Sequence, residues 1–232
     1  MIEHRPYTGL GTFGNDWLQA RYHFSFADYY DPARMGVGPL RVWNDDTIRP
    51  GGGFPMHGHR DMEIITYVRH GAISHEDHLG NRGRTEAGQV QVMTAGRGIM
   101  HSEYNHEPDE TQMFQIWIQP REDRLPAAWD SRPFPVGDRA GRLVALASGE
   151  GNHPDALPIH QDATLYAATL GAGDRLVHEM GIGRHAYLVA ARGALTVNGL
   201  ALGERDGITV TDESHLDIAA EDGAELVMVD VP

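Results

Sequence analysis

The sequence predicts an all-β protein built from two similar β-barrel units in tandem, and three observations carry that expectation. Apolar residues come in short runs of about four to seven, the spacing of strands and turns and not of helices. Glycine and proline, 28 and 13 of 232 residues, punctuate the runs. The order of runs in the first half then recurs in the second.

Taken in chain order, the runs are LRVW, EIITYV, VQVM and MFQIWI, then RLVALA, TLYAATL, AYLVAA, ALTV, GITV, LDIAA and ELVMVDV. Most are rich in Val, Ile, Thr and aromatic residues, the side chains that suit a pleated, half-buried surface. Between the two groups lies a stretch, residues 119–142, with four prolines and few strand signals, which reads as a connection. The expected domains are residues 1–125, a linker over 126–140, and residues 141–232. The halves match in detail: RHG is echoed by ARG, and AGQVQVM by RDGITVT, at corresponding places after the strands EIITYV and AYLVAA.

Composition narrows the function. Hydrophobic residues at 41% and charged residues at 22% suit a folded globular chain. No window approaches the ~20 apolar residues of a membrane span, and the start has no basic segment followed by an apolar one, so the expected location is the cytoplasm. With no cysteine, disulfides, thiolate metal sites and cysteine nucleophiles are excluded. A formal charge of -14 and a pI near 5.3 disfavour direct nucleic-acid binding, which draws on Lys and Arg to neutralise phosphates.

Histidines break the symmetry between the halves. Seven of fourteen fall between His57 and His106. In GGGFPMHGHRDMEIITYV, His57 and His59 project to one face if the segment is a strand, whereas an i, i+2 pair on a helix diverges. TAGRGIMHSEYN repeats the device with His101 and Glu103. If the two strands face each other in one barrel, three neutral imidazoles and one carboxylate converge and leave room for exchangeable ligands. That is the donor set of a catalytic divalent site and not of a closed structural one. Glu63 shares parity with His57 and His59 and stays open as an acidic neighbour. Asn105, by the same parity, falls on the metal-facing side, and Tyr104 on the other.

The other histidines have weaker claims. His70, His75, His78 and His106 flank turns and read as surface or supporting residues. His153, His160, His178, His185 and His215 lack paired spacing and read as structural. Phe54, Met56, Met93, Met100, Phe114 and Ile116 are candidates for an apolar mouth suited to a flat aromatic ligand, against the ordinary alternative of core packing. Asn44 to Asp46 and His23 to Phe26 are further pocket candidates, with plain strand and turn roles as the expectation.

These residues carry a resemblance. Gly51, His57, His59 and Glu63, followed by Gly88, His101 and Asn105, are spaced like the two motifs of the cupin superfamily. The segments HFSFADYYDPARMG, LRVWNDD, HGHRDMEIITYV, GQVQVMTAGRGIMHSEYN and QIWI resemble the pirin family, in particular its bacterial pirin-like quercetin 2,3-dioxygenase members. They cover residues 22–118 densely, and the second half resembles that family's degenerate second cupin more loosely.

The resemblance implies a bicupin, two jelly-roll-like barrels in tandem, with metal held in the first by His57, His59, His101 and Glu103. Iron(II) is the metal it implies, although N and O donors also accept zinc, manganese, nickel, cobalt or copper. In the broader cupin pattern the acidic ligand stands at Glu63; the pirin branch places it two residues after the last histidine, which ranks Glu103 first. The implied activity is opening of a flavonol such as quercetin by O2 with release of carbon monoxide, Glu103 serving as ligand and as base for the substrate hydroxyl. The partners are then a small aromatic substrate and O2, with a monomer expected because the two barrels are already in one chain. The alternative is a metal- or redox-sensing protein that binds a regulatory partner protein. A zinc or manganese isomerase or hydrolase needs only the same ligands.

Overall fold

The apolar runs become strands in the computed structural model, which describes all 232 residues. No helix is long and apolar enough to cross a membrane. The chain forms two units. One holds Gly11–Pro133 with Leu157–Gln161; the other holds Met1–Leu10, Phe134–Ala156 and Asp162–Pro232.

In the first unit, the larger sheet runs in the order Ala128–Pro133, Gln89–Thr94, Glu63–His70, Thr111–Ile118, Leu40–Ile48, Leu18–Tyr22, Gly11–Gly14. The smaller sheet runs Gly53–His59, Ile99–Tyr104, Ala72–Asp77, Arg82–Glu86. All these pairings are antiparallel. Alternation along the strands sends Leu18, Ala20, Tyr22, Ile48, Val68 and Met113 into one apolar cluster, with Ile73 from the smaller sheet.

The second unit repeats this arrangement. Its larger sheet has Gly207–Val210, His185–Arg192, Ala224–Val231, Thr164–Leu170 and Val144–Ser148 in that order, the order of the corresponding strands of the first unit, and Ile2–Arg5 pairs with Gly207–Val210 at the edge. Its smaller sheet has Arg175–Glu179, His215–Ala219, Leu195–Val197 and Leu200–Leu202. The duplication read from the sequence is a duplication of topology: a tandem pair of cupin barrels. Leu216 and Ile218 stand opposite His178 and Leu176 in the second unit, where His101 stands opposite His57 in the first, and both are buried in its apolar core.

Residues 126–140 are not the bare linker expected. Ala128–Pro133 is a strand paired with Gln89–Thr94, and Val136–Arg139 is a 3-10 turn. The two units part between Pro133 and Phe134. Proline reads as a breaker, yet at the end of an edge strand its missing N–H costs the ladder little, and Pro133 occupies such a place.

Candidate metal centre

The strand Gly53–His59 and the strand Ile99–Tyr104 lie side by side, with His57 opposite His101 and His59 opposite Ile99. Between those pairs and the next the register slips: Glu103 stands opposite Phe54, so the first strand carries one extra residue, a β-bulge. The bulge reverses parity. Phe54 therefore joins His57 and His59 inside the barrel, where it packs with the apolar cluster and lies 6.4 Å from the His57 ring. Glycine at position 53 permits the close approach, since a Cβ there would collide with the Glu103 carbonyl.

The three imidazoles meet as expected. Ring centroids are 4.7 Å apart for His57 and His59, 4.5 Å for His57 and His101, and 5.0 Å for His59 and His101. One nitrogen from each lies within 4.8 Å of the others, a grouping able to hold a metal ion. Glu103 groups in the same way with His101 and His75, not with the whole trio. Burial, reinforced by the neighbouring His57 ring, holds His59 down to about 4. Burial, with His57, His59 and His75 adding to it, holds His101 down to about 3. Both rings are thus neutral at pH 7, with nitrogen lone pairs available. His57 Nδ1–H donates to the Pro55 carbonyl at 2.7 Å, which leaves its Nε2 free to coordinate. His101 Nε2 is buried with no hydrogen-bond partner. A bare lone pair in a dry site is costly to leave unmet, and a cation meets it. The donor set fits a divalent metal on that ground.

Glu103 is buried, and burial pushes its carboxyl up to about 7, against hydrogen bonds from Gln91, Gln115 and Thr66. Gln91 Nε2 donates to Oε1 at 2.5 Å and Gln115 Nε2 to Oε2 at 2.9 Å. Each glutamine is itself oriented. Thr85 Oγ1–H donates to Gln91 Oε1 at 2.9 Å, and Trp117 Nε1–H donates to Gln115 Oε1 at 3.1 Å, so each amide turns its nitrogen toward Glu103. Both oxygens accept an amide and Thr66 adds a third donor, so neither oxygen is free of hydrogen bonds for the base role.

Sequence reasoning missed Gln91, Gln115 and Trp117. The signal was a polar residue within an apolar strand, in VQVM and MFQIWI, at the parity that faces the core. His75, read as a surface or supporting residue beside a turn, lies within the strand Ala72–Asp77 and is almost fully buried, which excludes the surface reading.

Several expected neighbours fall elsewhere. Glu63 opens a separate strand whose interior residues are Ile64, Thr66 and Val68, so it faces the other side. There it accepts Thr94 Oγ1–H at 2.8 Å and lies 3.3 Å from His160 Nδ1. Parity counted across a turn carries no information. Asn105 follows the end of its strand and ties a loop, donating to the Ile48 and Asp109 carbonyls at 2.9 and 2.8 Å and accepting Glu107 N–H. Phe114 lies on the opposite face of its strand from Gln115, buried against Trp43, Tyr67 and Arg69. Ile116 shares that face, and Met93 packs with Ile64, Ala95 and Ile99. Met56 and Met100 are 49% and 42% exposed, on the outside of the smaller sheet.

The aromatic surroundings of the histidines come instead from Phe54, Trp117 and Phe26. Trp117 stands edge-on to His59 at 4.9 Å, and Phe26 edge-on to Trp117 at 5.4 Å. Of the other early candidates, Asp45 pairs with Arg69, and His23, Phe24 and Asn44 are buried. Asp46 is buried too, and burial, with Asp45 and Glu103 nearby, pushes its carboxyl well above the usual range.

A tandem of cupin barrels with a histidine cluster beside a buried glutamate in the first is the class of protein that fold and site define. Residues 4–118 match the family profile described as Pirin, and residues 145–231 the one described as Quercetinase C-terminal cupin domain. A pirin-like protein of Caulobacter vibrioides is 55% identical over 230 residues, covering 99% of both chains. A protein of Escherichia coli K12 named quercetin 2,3-dioxygenase is 38% identical over 237 residues, covering 100% of this chain and 99% of that one. The crystal structure of a bacterial pirin from Escherichia coli in complex with nickel(II) superposes with a TM-score of 0.94 at 37% identity, covering 100% of this chain and 99% of that one. The chain belongs to the pirin family.

Proposed function

We propose that the chain is a metal-dependent dioxygenase that opens flavonols such as quercetin with O2 and releases carbon monoxide. The metal on this reading is iron(II), held by His57, His59, His101 and Glu103. The observation that supports it most is the convergence of three imidazoles, one of which, His101, has a buried Nε2 with no hydrogen-bond partner. The relative in Escherichia coli named quercetin 2,3-dioxygenase favours the enzymatic reading over the partner-binding alternative. The nickel(II) complex of a bacterial pirin is in keeping with a divalent metal in this fold.

When bound, the metal supplies Lewis acidity toward a substrate hydroxyl and a redox centre for O2. The chain's own groups do the rest. His57, His59 and His101 offer nitrogen donors, the latter two held neutral by burial. Glu103 takes the hydroxyl proton on a carboxylate oxygen in exchange for one of its hydrogen bonds, while the remaining donors keep the group in place. Phe26, Phe54 and Trp117 give the flat ring system of the substrate aromatic surfaces to pack on and keep water from the reacting atoms.

The test is to load the protein anaerobically with Fe(II), add quercetin and air, and follow flavonol absorbance together with carbon monoxide. His57→Ala and Glu103→Ala are the controls. Carbon monoxide from the parent and a loss of at least about 100-fold in both variants is the expected result. Stoichiometric iron without turnover would sink the flavonol reading.

A further inference from the structure

Behind His101 lies a chain of hydrogen bonds whose proton positions follow from which atoms can only accept. Asp77 is already surrounded by donors: Leu79 N–H and Asn81 N–H reach Oδ1 at 2.9 and 3.1 Å, and Asn81 Nδ2 reaches Oδ2 at 2.9 Å. It is a carboxylate that accepts, so His75 Nε2, 3.1 Å from Oδ2, carries the proton in that contact. The neutral His75 ring then presents a lone pair at Nδ1, and His101 Nδ1 lies 3.4 Å from it. His101 must therefore donate from Nδ1, which leaves its Nε2 as the bare, buried and unpartnered lone pair.

The rings are held for this. Trp129 stacks on His75 with centroids 4.9 Å apart and planes 9° from parallel. Glycine at position 83 leaves room for that indole, which a Cβ would strike. His75 and Asp77 are both buried, so water cannot substitute for either contact.

We propose that Asp77 and His75 form a positioning relay that fixes the tautomer and plane of His101 and strengthens its Nε2 as a donor, so that the pair sets the affinity and reduction potential of the metal. The proposal rests on the metal-centre reading above. Neither relay residue is a ligand in it. A carboxylate acting through imidazole makes the ligating ring more electron-rich, which favours the more oxidised metal.

Two measurements test this. In 15N-labelled wild-type protein with zinc bound, long-range 1H–15N correlation should show His75 protonated at Nε2 and His101 at Nδ1. Asp77→Asn should still take up one equivalent of iron, but with affinity lowered about 10- to 100-fold and an Fe(III)/Fe(II) potential moved to a more positive value. The opposite tautomers, a His75 nitrogen that shows zinc coordination, or unchanged affinity and potential in Asp77→Asn would each overturn the relay while leaving the metal centre intact. Wild-type protein that takes up no metal at one equivalent would overturn the metal-centre reading, and the relay's role with it.

Discussion

On the proposed reading Glu103 is the residue on which the chemistry turns, because its environment makes demands in two directions. Burial favours the neutral acid, and hydrogen bonds from two glutamine amides and Thr66 favour the anion; the outcome in the metal-free protein is a carboxyl held at about 7. A metal bound by the carboxylate must displace whatever proton is there. Glu103 should therefore contribute close to one proton to the release at pH 6 and close to none at pH 8, so Glu103→Gln should lower the release at pH 6 by about one proton and leave that at pH 8 unchanged. Calorimetric titration of the metal-free protein in buffers of different ionisation enthalpy reads this number directly. A Glu103→Gln variant that releases as many protons as the parent at pH 6 would mean Glu103 is no ligand. The histidine pairs were legible in the sequence, since each needs only one strand to bring its two residues to one face. Gln91 and Gln115 were not, because a glutamine in an apolar run gains its meaning from the carboxylate it meets on another strand.

At the scale of elements, the bulged strand Gly53–His59 decides what surrounds the histidines. One inserted residue turns Phe54 inward, and Met56 is left exposed outside the barrel. The strand can lie against Ile99–Tyr104 only because position 53 has no side chain. Gly53→Ala should lower stability by about 1–3 kcal/mol, the usual range for forcing atoms into a packed site, and should weaken metal binding by moving His57 and Glu103 apart. Denaturant unfolding and metal titration of the same variant check both effects. An alanine tolerated without loss would mean that the two strands separate easily. The turn at Thr94–Ile99 has a similar requirement: Gly96 has a positive φ of 46° and a Cβ there would strike the Leu125 carbonyl.

The whole molecule is one topology used twice with different interiors. The first barrel encloses histidines, a glutamate and glutamines, while the second fills the same strand order with Leu, Ile, Val, Met and Ala. Metal at 100 times its dissociation constant should stabilise the folded state by about 2.7 kcal/mol. Its protection against amide exchange should appear in residues 53–59 and 99–104 and be absent from residues 175–179 and 215–219, as hydrogen exchange read by mass spectrometry would show. Equal protection in both would place metal in the second barrel. In the metal-free protein the buried histidines make part of the stability acid-sensitive. His59 near 4 and His101 near 3 sit below the ordinary 6.5, so the unfolded chain binds protons more readily; their stability is complete above 6.5 and is lost as pH falls toward 4 and 3. Glu103 works the other way: its contribution is complete below about 4.5 and lost as pH rises through 7. His75 stands with the two histidines, and Asp46 and Glu63 with Glu103, so the contribution of one group is read by difference: His101→Asn should lose less melting temperature than the parent between pH 6.5 and pH 4.

The sequence by itself determined the all-β class, the duplication, the unequal sharing of histidines between the halves and the two-residue spacing that pairs His57 with His59 and His101 with Glu103. Each of these depends on local periodicity, which an unbroken strand preserves. Only the tertiary structure decided that Glu63 faces away, that Asn105 ties a loop, that Phe114 lies on the far side of its strand, and that His75 stacks on Trp129 behind His101. Parity is lost at a bulge, a turn or a strand end, and partners on other strands are chosen by sheet pairing over long stretches of chain.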